Sequence, residues 1–260
     1  MNRILRLIII CLSGAALMAC ITLACLAGRD MRSRLTCNGM KVTVTDSARN
    51  DFVSKEDIRR HIEKEYGAYE GICLDSIDLT AIEELVDRKE AVLKSQAYVT
   101  KDGTLHITVT QRQPAVRFQK KEGGFYADAE GFIFPLQDSH AAHVQVIDGY
   151  IPLSATSGYN GTISQSEKEW FDSIMNLVNH IDRSQTWKNK FVNIHVGKNH
   201  ELTLVPRYGN EKILFGHPVD IQTKLDKLEK YYTSIIPEKG KDYYKTVDLR
   251  FEGQIVCSRN

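Results

Sequence analysis

The chain has 260 residues, 42% of them hydrophobic and 26% charged, a balance that excludes a disordered or collagen-like polymer. Lys and Arg total 34 against 33 Asp and Glu, so the net charge is +1 and no overall basic excess points to nucleic acid. The length allows one or two folded domains.

Apolar residues concentrate at the amino end. Leu7 to Ala27 is an uncharged run of 21 residues. As a helix it covers roughly 31 Å, against a hydrocarbon core of about 30 Å. A single transmembrane helix bounded by Leu7 and Ala27 is therefore expected, with residues 1–6 as a cytoplasmic end and 28–39 as a linker. A cleaved signal peptide has an apolar stretch of only about 7–15 residues. A lipoprotein signal is the sharper rival, because Leu17-Met18-Ala19-Cys20 has the form of a lipobox; the residues after Cys20 stay apolar, whereas a lipid tether is polar. Arg3 and Arg6 precede the run, and Arg29, Arg32 and Arg34 follow it, so charge alone leaves the orientation open. The short amino end favours an anchor with the body outside. Cys37, Cys73 and Cys257 lie beyond the run without a CxxC pattern, so one bridge and three free thiols remain equally open.

Met40 to Thr45 alternates apolar and polar residues, the period of a half-buried strand. Ser54 then starts a helix as its cap, with Asp57 three residues on and Ile58 and Ile62 on one face. Thr80 and Glu83 have capping-box spacing for a second helix carrying Ile82, Leu85 and Val86. The period then changes to two. Val92 to Thr100 and Thr104 to Gln111 read as a hairpin around Lys101-Asp102-Gly103. Pro114 marks the exit from the sheet. The order β-α-α-β-β requires both helices to pack on one face of a three-stranded sheet.

The second half is richer in strands. Phe125-Tyr126-Ala127-Asp128 and Phe132 to Phe134 flank a turn at Gly131, and Val144 to Gly149 follows. Ser166 and Glu169 have capping-box spacing for a helix to Asp182, with Trp170, Ile174, Leu177 and Ile181 in one stripe. Val192–Val196, Glu201–Val205 and Lys212–Phe215 alternate as strands. Asp220 to Tyr232 reads as an amphipathic helix, with Lys224, Lys227 and Lys230 on a solvated face. Thr246 to Phe251 and Gln254 to Cys257 close the chain as strands around Gly253.

Catalytic patterns are absent from the sequence: it has no G-x-S-x-G, HExxH, Walker A or GxGxxG motif. The pairs His140/His143 and His195/His200 have no Cys or carboxylate at ligand spacing, so no metal and no cofactor is expected. Asp128 and Glu130 read as turn residues rather than paired acids. The expectation is a protein that is not an enzyme.

The run Val92-Leu93-Lys94-Ser95-Gln96-Ala97-Tyr98-Val99, the strand Gly103 to Val109 and the exit Gln111-Arg112-Gln113-Pro114 resemble the second half of a POTRA domain (polypeptide-transport-associated). Together with the amino-terminal anchor, the strand ending at Gly149 and the final strands Thr246–Phe251 and Gln254–Cys257, they resemble the FtsQ/DivIB family of bacterial cell-division proteins. Gln111 stands where that family carries Glu, and Lys89-Glu90-Ala91 replaces its Asn-Pro.

The resemblance implies an α+β chain: one transmembrane helix, a POTRA-like β-α-α-β-β domain over 40–118, then a mixed β-rich domain with two helices over 119–260. It implies an inner-membrane scaffold of the divisome, with its body in the periplasm at the septum. Its partners would be the single-pass proteins FtsB and FtsL. Carried over by position, Arg250, Phe251, Gly253, Gln254, Ile255 and Val256 would form the partner surface. A terminal strand at a sheet edge offers unpaired N–H and C=O groups to an added strand; Arg250 would pair an acidic partner residue. Two rivals are a POTRA-type assembly chaperone of the envelope and an anchored, lipid-linked envelope hydrolase.

Overall fold

A computed structural model describes residues 12–23, 35–45 and 51–259. Of the apolar run, residues 12–23 are helical with exposed side chains. Leu7, Ala27 and the linker up to residue 34 lie outside the described residues. Among the described residues, no helix is long and apolar enough to cross a membrane.

The chain divides into two compact units, with the boundary between Gln111 and Arg112. In the first, β1 (Gly39–Val44), β2 (Val92–Val99) and β3 (Thr104–Gln111) form a sheet of order β1-β3-β2. β1 runs parallel to β3, and β2 antiparallel to it. The period-two pattern places Leu105, Ile107 and Val109 inward with Met40, Val42 and Val44, all buried. Helices α1 (Lys55–Glu65) and α2 (Leu79–Asp87) contribute Ile58, Ile62, Ile82 and Val86, each fully buried. Each such side chain stabilises the fold by roughly 1.5–3 kcal/mol relative to exposure.

Local chemistry sets the ends of these elements. Ser54 Oγ accepts from the Asp57 amide at 3.1 Å and caps α1. The cap of α2 differs from the sequence expectation. Asp78 Oδ1 accepts from the Ala81 amide at 2.9 Å, so the helix begins one residue before Thr80. A carboxylate caps as well as a hydroxyl does, and here it leaves Glu83 with no capping task. In the hairpin turn, Gly103 has φ +85°, and a Cβ there would lie 2.6 Å from Thr36 O and Asn38 Nδ2.

Gln111 is fully buried, and its Oε1 accepts from the Phe52 and Val53 amides, both at 2.9 Å. These donors lie just before α1 and need an acceptor inside the core. A neutral amide supplies it without the cost of burying a carboxylate. Gln in place of Glu therefore keeps the acceptor that these two amides require.

The second unit holds one ten-stranded sheet. Its strands are β4 (Val116–Lys120), β5 (Gly123–Ala127), β6 (Phe132–Pro135), β7 (Gln145–Gly149), β8 (Gly161–Thr162), β9 (Phe191–Val196), β10 (Leu202–Pro206), β11 (Lys212–Gly216), β12 (Thr246–Asp248) and β13 (Val256–Ser258). Their spatial order is β13-β12-β11-β10-β9-β7-β4-β5-β6-β8. β4, β7 and β9 are mutually parallel, and β11 is parallel to β12. A domain boundary after residue 118 would cut β4, a strand the sequence pattern did not show. Arg112 opens this unit: its guanidinium lies 3.4 Å from the Phe132 ring centroid and 3.2 Å from Asp128 Oδ2.

Helix α3 (Gln165–Arg183) begins at Ser164, two residues before the expected cap. The Glu167 carboxylate accepts from the Ser164 amide at 3.1 Å, from Ser164 Oγ at 2.6 Å and from the Ser154 amide. Burial pushes this carboxyl up, but the three donors outweigh it and bring it down to about 2. Phe171, Ile174, Leu177 and Ile181 are buried, while Trp170 is only partly so. Helix α4 (Ile221–Lys230) passes into a π-helical turn at Tyr231–Ile235 and a short helix α5 (Ile236–Lys239). Ile221, Leu225, Leu228 and Tyr231 pack into the same core as α3 and the sheet.

Candidate partner-binding edge

The last two strands and the turn between them hold the residues that the resemblance would place at a partner surface. Val247 is fully buried and fixes β12 in the core; Leu249, just beyond the strand, is fully buried too. Phe251, Glu252 and Gly253 then turn the chain, with Gly253 at φ +67°. β13 returns antiparallel, pairing Asp248 with Val256, Val247 with Cys257 and Thr246 with Ser258. Among the described residues, β12 is its only strand neighbour, so β13 is an edge of the ten-stranded sheet. An edge this short, three residues, resists indiscriminate pairing.

The hairpin is clamped from both sides. Arg250 Nη2 lies 2.7 Å and Nε 2.9 Å from the two carboxylate oxygens of Asp248, while Nη1 reaches Glu201 Oε2 at 3.0 Å. Such a fork matches the planar guanidinium. At Asp248, burial pushes the carboxyl up, yet the Arg250 hydrogen bonds and charge hold it below the usual range. Glu201 is lowered by an Asn199 hydrogen bond and by Arg250. Gly216, at φ +74°, makes room for the arginine stem: a Cβ there would lie 2.8 Å from Arg250 Cγ. From α4, Lys227 Nζ donates to Leu249 O at 2.5 Å and Phe251 O at 2.8 Å. Lys224 donates to His217 O at 2.8 Å and is itself buried. Two of the three helix lysines therefore hold loop backbone, which corrects the reading of a solvated face. The reason is that unpaired loop carbonyls near a helix accept an ammonium readily.

The predicted partner residues are all in this hairpin, but they play different parts. Phe251 and Val256 are exposed at 46% and 42%, large apolar groups left at the surface. Gly253 and Gln254 are exposed, and Ile255 packs partly against the core. Arg250 already holds two carboxylates, so an acidic partner residue would have to compete for it. Cys257 is a free thiol beside the core, with its ionisation pushed up by burial. After β13 the Arg259 guanidinium lies 4.2 Å from the Tyr243 ring centroid, fastening the chain end. This arrangement leaves the outer side of β13 without a strand neighbour among the described residues and the side chains of Phe251 and Val256 exposed.

The FtsQ/DivIB, C-terminal related family matches residues 113–258, more than half of the chain. The chain belongs to that family. A POTRA-like domain matches residues 35–110. No curated protein matches the sequence. The family match runs through the last residue of β13, and the POTRA-like match lies within the first unit. Membership places the protein among cell-division proteins whose domains act as non-enzymatic scaffolds.

Sequence reasoning missed one constellation elsewhere in the second unit. It grouped His195 with His200, whereas His195 Nδ1 lies 2.6 Å from Asp148 Oδ1 on the neighbouring strand. Asn193 Nδ2 donates to the other Asp148 oxygen at 2.6 Å. Only the register of β7 against β9, invisible in the linear sequence, brings these residues together. Among the described residues, no three metal-binding side chains converge.

Proposed function

We propose that this protein is a membrane-anchored scaffold of the bacterial divisome that binds FtsB and FtsL by strand addition at β13. One apolar helix holds it in the inner membrane, and the two units stand in the periplasm. The amino-terminal unit serves recruitment to the division site. The carboxyl-terminal unit couples early division proteins to septal peptidoglycan synthesis. The observation that carries this reading is the position of β13 at the edge of the sheet, with Phe251 and Val256 exposed beside it. Backbone bonds to such an edge supply affinity, and alternate side chains supply selectivity. The clamp of Arg250 and Lys227 supports it further, because a hairpin fixed before binding loses little conformational freedom on docking.

The reading is tested by capturing FtsB with the full chain in detergent. Capture is expected with the intact chain and lost on replacing Cys257 with Pro, which removes the β13 backbone donor that alternation turns away from β12. Undiminished capture would refute the docking site. For the anchor, Cys20→Ser leaves the protein in the membrane fraction; its release would mean that a lipid on Cys20 is the tether.

A further inference from the structure

The longest open edge among the described residues is not at the carboxyl end. It is β2, an eight-residue strand that pairs with β3 on one side, with a bulge at Leu93, and with no strand on the other. The Thr100 amide donates to Thr104 O at 3.0 Å, and the register continues through Tyr98 opposite His106 and Gln96 opposite Thr108. Alternation along an antiparallel pair then turns the N–H and C=O of Ser95, Ala97 and Val99 away from β3. These are the groups that a further strand would use. The central one is already taken: the Ala97 amide donates to Glu83 Oε1 at 2.6 Å. The same residue is held a second time, because Ser95 Oγ donates to Glu83 O at 3.2 Å. Glu83 thus reaches from α2 onto the middle of the edge.

We propose that Glu83 guards this edge, and that withdrawing its carboxylate opens β2 to the β2 strand of a second copy of this chain. The pattern of β2 is self-complementary. Antiparallel pairing about Ala97 sets Ser95 against Val99, Gln96 against Tyr98, Lys94 against Thr100 and Leu93 against Lys101. No like charges face each other, which is what such a ladder requires. The outward groups of Ser95, Ala97 and Val99 would form about six backbone hydrogen bonds across the two-fold axis. Leu93 and Tyr98, each 49% exposed, would lose water on pairing. With Glu83 in place, two carboxylates meet at that axis and fill both central bonding positions. An inward-reaching charge on an open edge is a known way to prevent such pairing.

The test uses the full chain in detergent micelles, with protein mass read by sedimentation. The wild type is expected as a monomer, and Glu83→Ala as a dimer of twice the protein mass. Glu83→Gln keeps an acceptor for the Ala97 amide and is expected to stay monomeric. In Glu83→Ala, a further Ala97→Pro removes the central donor and is expected to restore the monomer, since that N–H does not serve β3. At dilutions where Glu83→Ala is monomeric, the Ala97 amide should exchange about tenfold faster than in the wild type, with Gln96 and Tyr98 unchanged. A Glu83→Ala that stays monomeric at every concentration, a dimeric wild type or a dimeric Glu83→Gln would each overturn the proposal. So would unchanged exchange at Ala97. Far-ultraviolet circular dichroism of each variant checks that the unit is folded.

Discussion

Each unit of this protein leaves a strand edge open, and the two edges are built in opposite ways. β2 in the first unit is long, and its central amide is closed by a side chain of its own unit. β13 in the second is three residues long, and the end of β12 and the turn that lead into it are held by Arg250 and Lys227. A long edge offers many backbone bonds to any extended chain and has to be guarded. A short edge offers few, so its selectivity depends on a fixed hairpin and on the side chains beside it, Phe251 and Val256. On the proposed readings, the contrast separates an edge closed against pairing from one held ready for it.

The largest expected effect breaks the second edge outright. Deleting Glu252 to Asn260 should abolish FtsB capture, while amide exchange in β1, β2 and β3 stays as in the intact chain. Capture at wild-type levels would move the binding surface to another part of the molecule. A second change strikes the first unit alone. Gln111→Ala leaves the buried Phe52 and Val53 amides without this acceptor. It should destabilise that unit by about 2–4 kcal/mol, taking roughly 1–2 kcal/mol for each buried hydrogen bond lost. Chemical unfolding followed at the two units separately should show the first transition shifted and the second unmoved.

Weaker effects sharpen the comparison. Lys227→Ala frees the carbonyls of Leu249 and Phe251 without touching β13 itself. Capture of FtsB should weaken several-fold, by about 1 kcal/mol of ordering cost, with the fold retained. Calorimetric titration measures this, and an unchanged affinity would show that the brace is not needed. The smallest effect is acid sensitivity at Glu167. Its folded value is about 2, below the ordinary carboxylate value of 4.5. The stability it contributes is therefore present above the unfolded value and is lost as pH falls from about 4.5 to about 2. Because the group is largely exposed, solvent screening reduces the contribution to about 1 kcal/mol. The stability difference between the wild type and Glu167→Gln should shrink across that window.

Much of this architecture was legible where one periodicity dominates. Leu105, Ile107 and Val109 announce β3, and Ile58 and Ile62 announce α1, because burial on one face dictates residue type. Helix starts were less legible. Asp78 and Ser164 are the caps of α2 and α3, and neighbouring Thr80 and Ser166 carry the same chemistry at a similar spacing. β4 does alternate, with Val116 and Phe118 buried and Arg117 and Gln119 less so, but five residues just after Pro114 give too short a period to stand out. The terminal edge was legible as a strand near Gly253, but the engagement of Arg250 was not. Asp248 lies two positions away, whereas Glu201 is distant in sequence and arrives only through the sheet. Glu83 was misread for a related reason: its spacing from Thr80 fits a capping box, and only the folded sheet brings Ala97 within its reach.

The central claim is that a partner adds itself to β13 through the backbone. Amide exchange of Cys257, whose N–H alternation turns away from β12, in the chain alone and in complex with FtsB, tests it most directly. The account predicts slower exchange on binding at this residue and no change in β9 or β10. A complex that forms while exchange at β13 stays the same, with new protection elsewhere, would contradict it.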